Sequence, residues 1–336
     1  MSAAVYALAQ TGVSAPCGTL HRPCSSLQAA ADQLSAVRPN LVLLPTPAAF
    51  QEGAALPEIG APIHVFGNGV HVSTRGASAF QVAQGEVTFD AVFVENARNA
   101  GSSAIACSGG RILVRDSTLR SSAYGIKAEG CDVTVLRTAV DANDVGIHTL
   151  SGQHGLSVLE SWIEGNAQAL YSDADPLVIQ NNLFLRNGHD SYMRVVELRS
   201  RTGAPFFGYN TLVGNFNNCI YVGIVACEGA SATLTSNISW NNFPDWDGMG
   251  DDCLSQVFSC RNATLSNTIA ERTWPGENNS TADPLFVDAA NDDYHLQPGS
   301  PAIDRGNQWL APARDYYGSA RAELAPPDIG AVESWE

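Results

Sequence analysis

Lys127, His148, Tyr171, Glu197 and Tyr221 could each do acid–base or electrostatic work, and each directly follows an apolar residue: Ile126, Ile147, Leu170, Val196 and Ile220. The pairs return at intervals of roughly 21 to 30 residues, the signature of a repeat. If the apolar member faces a core, its successor faces solvent, because side chains alternate along a strand. Two residues further on, on the same outer side, come Glu129, Asp173 and Arg199, with Ser108 and Leu150 at the equivalent places. The residues before the pairs are mostly small, as at Gly125, Gly146 and Ala169. The expectation is a cleft with a floor of small residues and walls of Lys, His, Tyr, Glu and Arg.

Such a set could run β-elimination on a uronate-containing polysaccharide. Lys127, Arg194 or Arg199 would neutralise the sugar carboxylate and lower the barrier to removing the adjacent proton. His148 or Lys127 would take that proton, and Tyr171 would protonate the leaving oxygen. Alternatively Glu129, Asp173 and Glu197 serve as paired carboxylates of a glycoside hydrolase. A third reading makes the column a solvated face whose opposite charges stabilise their neighbours. The catalytic candidates are thus Lys127, His148, Tyr171 and Glu197, with Glu129, Asp173, Arg194, Arg199 and Tyr221 as substrate contacts. A second cluster, Asp245, Asp247, Asp251 and Asp252, puts four carboxylates on one loop, a set of hard oxygen ligands suited to calcium. Its spacing departs from the EF-hand rule, and an acidic loop pinned by Cys253 is the plainer reading. Phosphate loops, dinucleotide fingerprints, G-x-S-x-G and paired-His zinc spacings do not occur.

The elements that must position these residues are short β-branched-rich strands. Ile112–Leu119, Val133–Val140, Leu156–Ile163 and Leu177–Phe184 align, and each leads to Ser122, Asn143, Asn166 or Asn187 three residues later. Stacked as parallel coils about 4.8 Å apart, equivalent residues form columns. Two inward polar columns are expected, one of Ser117, Thr138, Ser161, Asn182, Asn210, Asn237 and Asn267, the other of Asn143, Asn166, Asn187, Asn215 and Asn242. Side-chain amides stacked this way hydrogen-bond along the axis, and Asn tolerates the left-handed backbone of sharp corners. The fold class is therefore all-β, a right-handed parallel β-helix. Residues 1–50 would supply a strand and a capping helix with Ser25 or Ser26 as N-cap, residues 51–275 the coils, and residues 276–336 a Pro-rich segment wrapping the last coil, all as one structural domain.

The net charge of −16, with Lys127 the only lysine, argues against nucleic acid and anionic membranes as partners. No stretch has the length of a transmembrane helix, and a monomer is expected. Met1–Leu8 lacks the basic and apolar regions of a signal peptide. The eight cysteines fit no metal spacing and read as disulfides formed in an oxidising compartment, with Cys17–Cys24, Cys219–Cys227 and Cys253–Cys260 closing short loops and Cys107–Cys131 linking neighbouring coils.

Tyr6–Gly12, Cys17–Leu20 and Cys24–Ala30 resemble the opening of secreted bacterial parallel β-helix proteins of the pectate-lyase-like superfamily. Ala282–Asp288, Asp293–Leu296, Gln297–Gly306 and Asp328–Glu333 resemble the C-terminal segment of the choice-of-anchor Q group of bacterial surface β-helix proteins. The resemblance implies the fold, and a secreted or cell-surface location. It leaves two functions open: recognition, with or without lyase cleavage, of an extracellular polysaccharide or cell-surface glycan, or a non-catalytic surface or adhesion role for a purely structural β-helix.

Overall fold

The computed structural model describes residues 4–9, 16–96, 101–150, 153–188, 194–200, 203–216, 223–229, 231–242, 257–260, 262–272, 274–321 and 325–334. The described chain is an all-β parallel β-helix with a single short α-helix, Leu27–Ala31. It divides into two compact units, Met1–Leu156 and Ser157–Glu336. In the first unit, Asn40–Leu43, Ile63–Phe66, Glu86–Asp90, Gly110–Arg115 and Cys131–Leu136 form one parallel sheet, with Ala4–Ala7 paired on Asn40–Leu43. A second sheet holds His71–Val72, Phe93–Glu95, Thr118–Arg120 and Ala139–Asp141, and a third holds Ala54–Leu56, Phe80–Val82, Ser103–Cys107, Tyr124–Glu129 and Val145–Leu150. The second unit repeats the plan. Its first sheet has Leu177–Gln180, Phe206–Gly208, Thr233–Thr235 and Thr264–Ser266, its second Trp162–Glu164, Leu183–Leu185, Thr211–Val213, Ile238–Trp240 and Ile269–Ala270, and its third Gln168–Ser172, Val196–Leu198, Val225–Cys227 and Phe258–Cys260.

Corners between sheets explain the polar columns. Asp116 and Arg137 in the first unit, and Asn181, Tyr209, Ser236 and Asn267 in the second, have positive φ where the first sheet gives way to the second. The next residue then points inward beside peptide groups that no strand partner can reach. Asn182 Nδ2 donates to Val158 O at 2.8 Å and to Asn210 Oδ1 at 3.0 Å, and Asn210 Oδ1 also accepts the backbone N–H of Asn182. Asn210 and Asn237 repeat the pattern. At the next corner Asn166, Asn187, Asn215 and Asn242 form an equivalent ladder, and in the first unit Ser122 N donates to Asn143 Oδ1. The expectation fails at one member. Thr268, whose Oγ1 accepts from Asn237 N, takes the inward place given to Asn267, and Asn267 is instead the left-handed corner residue before it, its amide donating to Arg305 O. The register is slipped by one residue there, because an Asn at the corner imitates an Asn in the column.

Ser26 caps the short helix by accepting from Ala29 N, and Gln28 holds the edge strand Ala54–Leu56 through both polar atoms of its side chain to Ala55. Cys17–Cys24 and Cys107–Cys131 pair as expected. Cys227 pairs with Cys260, not with Cys219, and Cys260 is therefore not the partner of Cys253. These two residues sit side by side on adjacent strands of the third sheet, so a bond between coils replaces two short loops. Cys219 and Cys253 lie outside the described residues.

The C-terminal segment does more than cover the last coil. Glu277 and Ser280 bridge to Ser266 and Ile269, after which the chain forms the antiparallel hairpin Phe286–Asp288 with Asp293–Leu296 and runs back along the second unit. Tyr294, Ala331 and Val332 pack on Leu183, Leu185 and Val213, while Leu296, Ala302 and Ile329 pack on Ile238 and Ile269. Gly330 comes so close to this sheet that a Cβ would lie 2.7 Å from Ile238 Cδ1, at a φ of +98°. Arg321 pins the segment from inside: it donates to Glu333 Oε2 at 2.6 Å, to Asn181 Oδ1 at 3.0 Å and to Gly330 O at 2.8 Å, with its guanidinium over the Tyr209 ring. Asp283 forms a turn by accepting from Leu285 N, whereas Asp328 is buried and takes the N–H groups of Asp304 and Ser334.

Two outcomes follow from these contacts. Asn210→Ala strands the backbone N–H of Asn182, and each stranded group costs about 1–3 kcal/mol, so urea unfolding should show a loss of that size; a loss under about 0.5 kcal/mol would contradict the ladder's role. Burial pushes the Glu333 carboxyl up to about 7 against the opposing pull of Arg321. A folded value above the ordinary 4.5 means the proton is held more tightly in the folded chain, so that contribution is complete below the unfolded value and lost as pH rises through about 7. The thermal midpoint should fall from about pH 6 to about pH 8, with a smaller fall in Glu333→Gln.

Candidate functional site

The third sheet carries the outward column. In the first unit Ala55, Gln81, Ala106, Lys127 and His148 occupy equivalent positions on successive strands, as their register shows. In the second unit Tyr171 and Glu197 are equivalent, followed by Ala226 and Ser259. The column position expected for Tyr221 therefore belongs to Ala226. This coil is longer than the one before it, and its inward residue on the third sheet is Val225, beyond Ile220. Tyr221 itself, and Asp245, Asp247, Asp251 and Asp252, lie outside the described residues. Among the described residues no cluster of His, Cys, Asp and Glu could hold a metal ion.

A groove of about 210 Å³ opens on this face of the first unit. Its floor is made of small residues, Ala55, Ala83, Ala106 and Ser108, and Gln81, Lys127 and Glu129 supply its polar groups. Of the residues expected to form a cleft, Lys127 and Glu129 line this groove, which runs from Lys127 toward the N-terminal strands over a different set of small residues. Gln81 was legible only by carrying the column two strands further back, from Lys127 through Ala106. Lys127 Nζ lies 3.0 Å from Glu129 Oε1 and 5.6 Å from the Tyr124 ring centre, and that ring packs against His148 at 5.4 Å. The other sheets of this unit pair their charges between coils, in Glu86–Arg111–Asp132 and Glu95–Arg120–Asp141. Lys127 pairs instead with the residue two places along its own strand, so both charges stay at the rim of the groove.

The second-unit residues form a different assembly. Glu197 is 8% exposed and its Oε1 accepts from Arg199 Nε at 2.8 Å and Arg194 Nη1 at 3.2 Å. Glu228, which sequence reasoning missed, accepts from Arg194 at 2.6 Å and lies 3.3 Å from Arg199 Nε. The Arg194 hydrogen bond, against burial and with help from Arg199, holds the Glu228 carboxyl below its usual range. Burial works against the charge of Arg199, but its bond to Glu197 and the nearby Glu228 outweigh this and raise its pKa. The Arg199 guanidinium also sits 5.3 Å from the Tyr171 ring centre. Asp173 is half-buried just beyond the strand Gln168–Ser172. Two guanidiniums and two carboxylates thus satisfy each other, which leaves Glu197 placed as a linchpin of this face, unlike the open rim at Lys127.

Glu197→Leu should lower the thermal midpoint by an amount equivalent to about 1–3 kcal/mol, because two guanidiniums lose a shared acceptor. Glu197→Gln should recover part of it. Equal stability of Glu197→Leu and the wild type would remove the linchpin role.

No family model matches the sequence, and no curated protein matches it. Among solved structures the fold is similar to the crystal structure of pectate lyase Pel9A, with a TM-score of 0.53 and 17% sequence identity over 100% of this chain and 97% of that one. At that identity the likeness concerns the fold alone: both chains are parallel β-helices.

Proposed function

We propose that the chain is an extracellular β-helix protein that binds a uronate-containing polysaccharide along the first unit's third sheet. The observation that carries this reading is the groove itself, a floor of small residues with the only lysine of the sequence at its rim. A pyranose ring can lay its C–H face on that floor while hydroxyls reach Gln81 and Ser108 and a carboxylate meets Lys127. β-Elimination is the chemistry this placement would add. Lys127 would neutralise the carboxylate, and His148, one strand on and so about 4.8 Å away at the backbone, would take the C5 proton. The C4–O bond would break as the C4–C5 double bond forms, the leaving oxygen taking a proton from water. Support for the location comes from the three disulfides among the described residues, and from the sequence ends that resemble exported surface proteins. The neighbour in structure is itself a pectate lyase. Calcium at the Asp245–Asp252 loop belongs to the same reading.

The test uses polygalacturonate, alginate and a neutral glucan, each with and without calcium, measuring binding by affinity electrophoresis and elimination by the absorbance of the unsaturated product. Lys127→Ala and His148→Ala should lower the thermal midpoint only slightly, since both side chains are half-buried on the outer face and outside the core. Both should weaken binding to the uronate polymers at least tenfold, about 1.4 kcal/mol. Binding that survives both substitutions, or no binding to either uronate polymer, rejects the groove as the site.

A further inference from the structure

The returning C-terminal segment contains a stretch whose chemistry is not needed to hold it down. Between Arg305 and Leu310 it steps across four successive coils of the second unit, touching each through a single contact. Arg305 O accepts from Asn267, Asn307 N donates to Ser236 Oγ, Asn307 O accepts from the Tyr209 hydroxyl, and Leu310 O accepts from Gln180. All four of these contacts use the segment's backbone alone. Three coil spacings make the stretch about 14 Å long.

Two features along it face solvent. At one end is a cleft of about 440 Å³, lined by Asn267, Asn278, Asn279, Asp304 and Arg305 among others. Asp304 and Arg305 are exposed and form no ion pair with each other or with another described residue, although they are adjacent and opposite in charge. At the other end is Trp309, 85% exposed, by far the most exposed of the described large apolar residues of this unit. A bare indole on a surface is an unusual expense, since burying an aromatic of this size contributes roughly 2–3 kcal/mol. The stretch is also rigid. Asp304 N is tied to Asp328, Gly306 N to Pro327 O at 2.6 Å, and a Cβ at Gly306 would lie 2.7 Å from that same oxygen. Trp309 N is held by Asn307 Oδ1, and Leu310 N by Asn307 O.

We propose that this stretch is a second carbohydrate-binding site, separate from the groove of the first unit, that takes an oligosaccharide lying along the coil axis. One sugar stacks its C–H face on Trp309, and another places its hydroxyls in the cleft. Amide, carboxylate and guanidinium groups there offer donors and acceptors together, the pattern that vicinal hydroxyls, each a donor and an acceptor, satisfy best. Because the backbone is already fixed, binding costs little ordering entropy on the protein side. The length of the stretch exceeds a single pyranose ring, so a monosaccharide reaches one feature only.

The test is oxidation of the full chain by N-bromosuccinimide, read at Trp309 by peptide mass spectrometry, in the presence of hexasaccharides of glucose, xylose, mannose or galacturonate and of the matching monosaccharides. At least one hexasaccharide should slow oxidation of Trp309 fivefold or more, with the matching monosaccharide at least fivefold less effective at equal concentration. Arg305→Ala should remove most of that protection without lowering the thermal midpoint, and Lys127→Ala should leave it intact. Absence of protection by all four hexasaccharides overturns the proposal, as does protection unchanged in Arg305→Ala. Protection that disappears in Lys127→Ala also overturns it, by assigning the binding to the groove, whereas loss of groove binding with Trp309 still protected separates the two sites.

Discussion

The hydrogen bonds of the corner asparagines are the constraint on which the rest of this structure depends. A strand satisfies its peptide groups through the coil before and the coil after, but a corner turns some of them into an apolar interior where neither water nor a strand can reach. A serine or threonine there offers one short hydroxyl; an asparagine offers an acceptor and two donors at the right length, and can bond both the backbone of one coil and the side chain of the next. The ladders therefore fix the spacing and register of the coils. Loops are free to vary in length because the corners do not, and the chemistry-bearing residues inherit their alignment from this fixed frame.

The same logic explains which parts of the molecule were legible in the sequence. Inward columns and strand registers could be read because every coil restates them: Ala106, Lys127 and His148 align as expected, and so do Tyr171 and Glu197. Errors arose where a residue type fits two places. Asn267 suits a left-handed corner as well as an inward column, and only the partner of Asn237 shows that Thr268 holds the latter. Tyr221 follows an apolar residue, but the coil had lengthened before its third strand, a change that spacing alone does not place. Cysteine pairing followed the shortest loops in the sequence, while the fold brought Cys227 and Cys260 together through stacking. The partnership of Glu197 with Glu228 across adjacent coils had no periodic signal, since Arg194 and Glu228 lie outside the strands.

The exteriors of the two units are built on different physics. On the second sheet of the first unit, most outward positions are polar or charged, as in Glu95, Thr118, Arg120 and Asp141, with Phe93 and Ala139 the apolar ones, and the strands read as simple alternations. In the second unit, Leu183–Leu185 and Thr211–Val213 are buried on both sides. A continuous apolar run in a strand signals a covered face. Leu183, Phe184 and Leu185 carried that signal, and what covers them is the returning C-terminal segment, whose own proline-rich sequence gave no hint of its route.

That returning segment sets an order of events for synthesis. Arg321 bonds Asn181 across 140 residues, and Ala331 bonds Thr211 across 120, so these closures must wait until the chain has been made past the coils they join. The coils of the second unit can stack as they leave the ribosome, but their second sheet keeps an uncovered apolar stripe until the returning segment has emerged. During that interval the stripe is a surface on which nascent chains can associate with one another, and a chaperone that shields it would act on this half of the protein and not on the other.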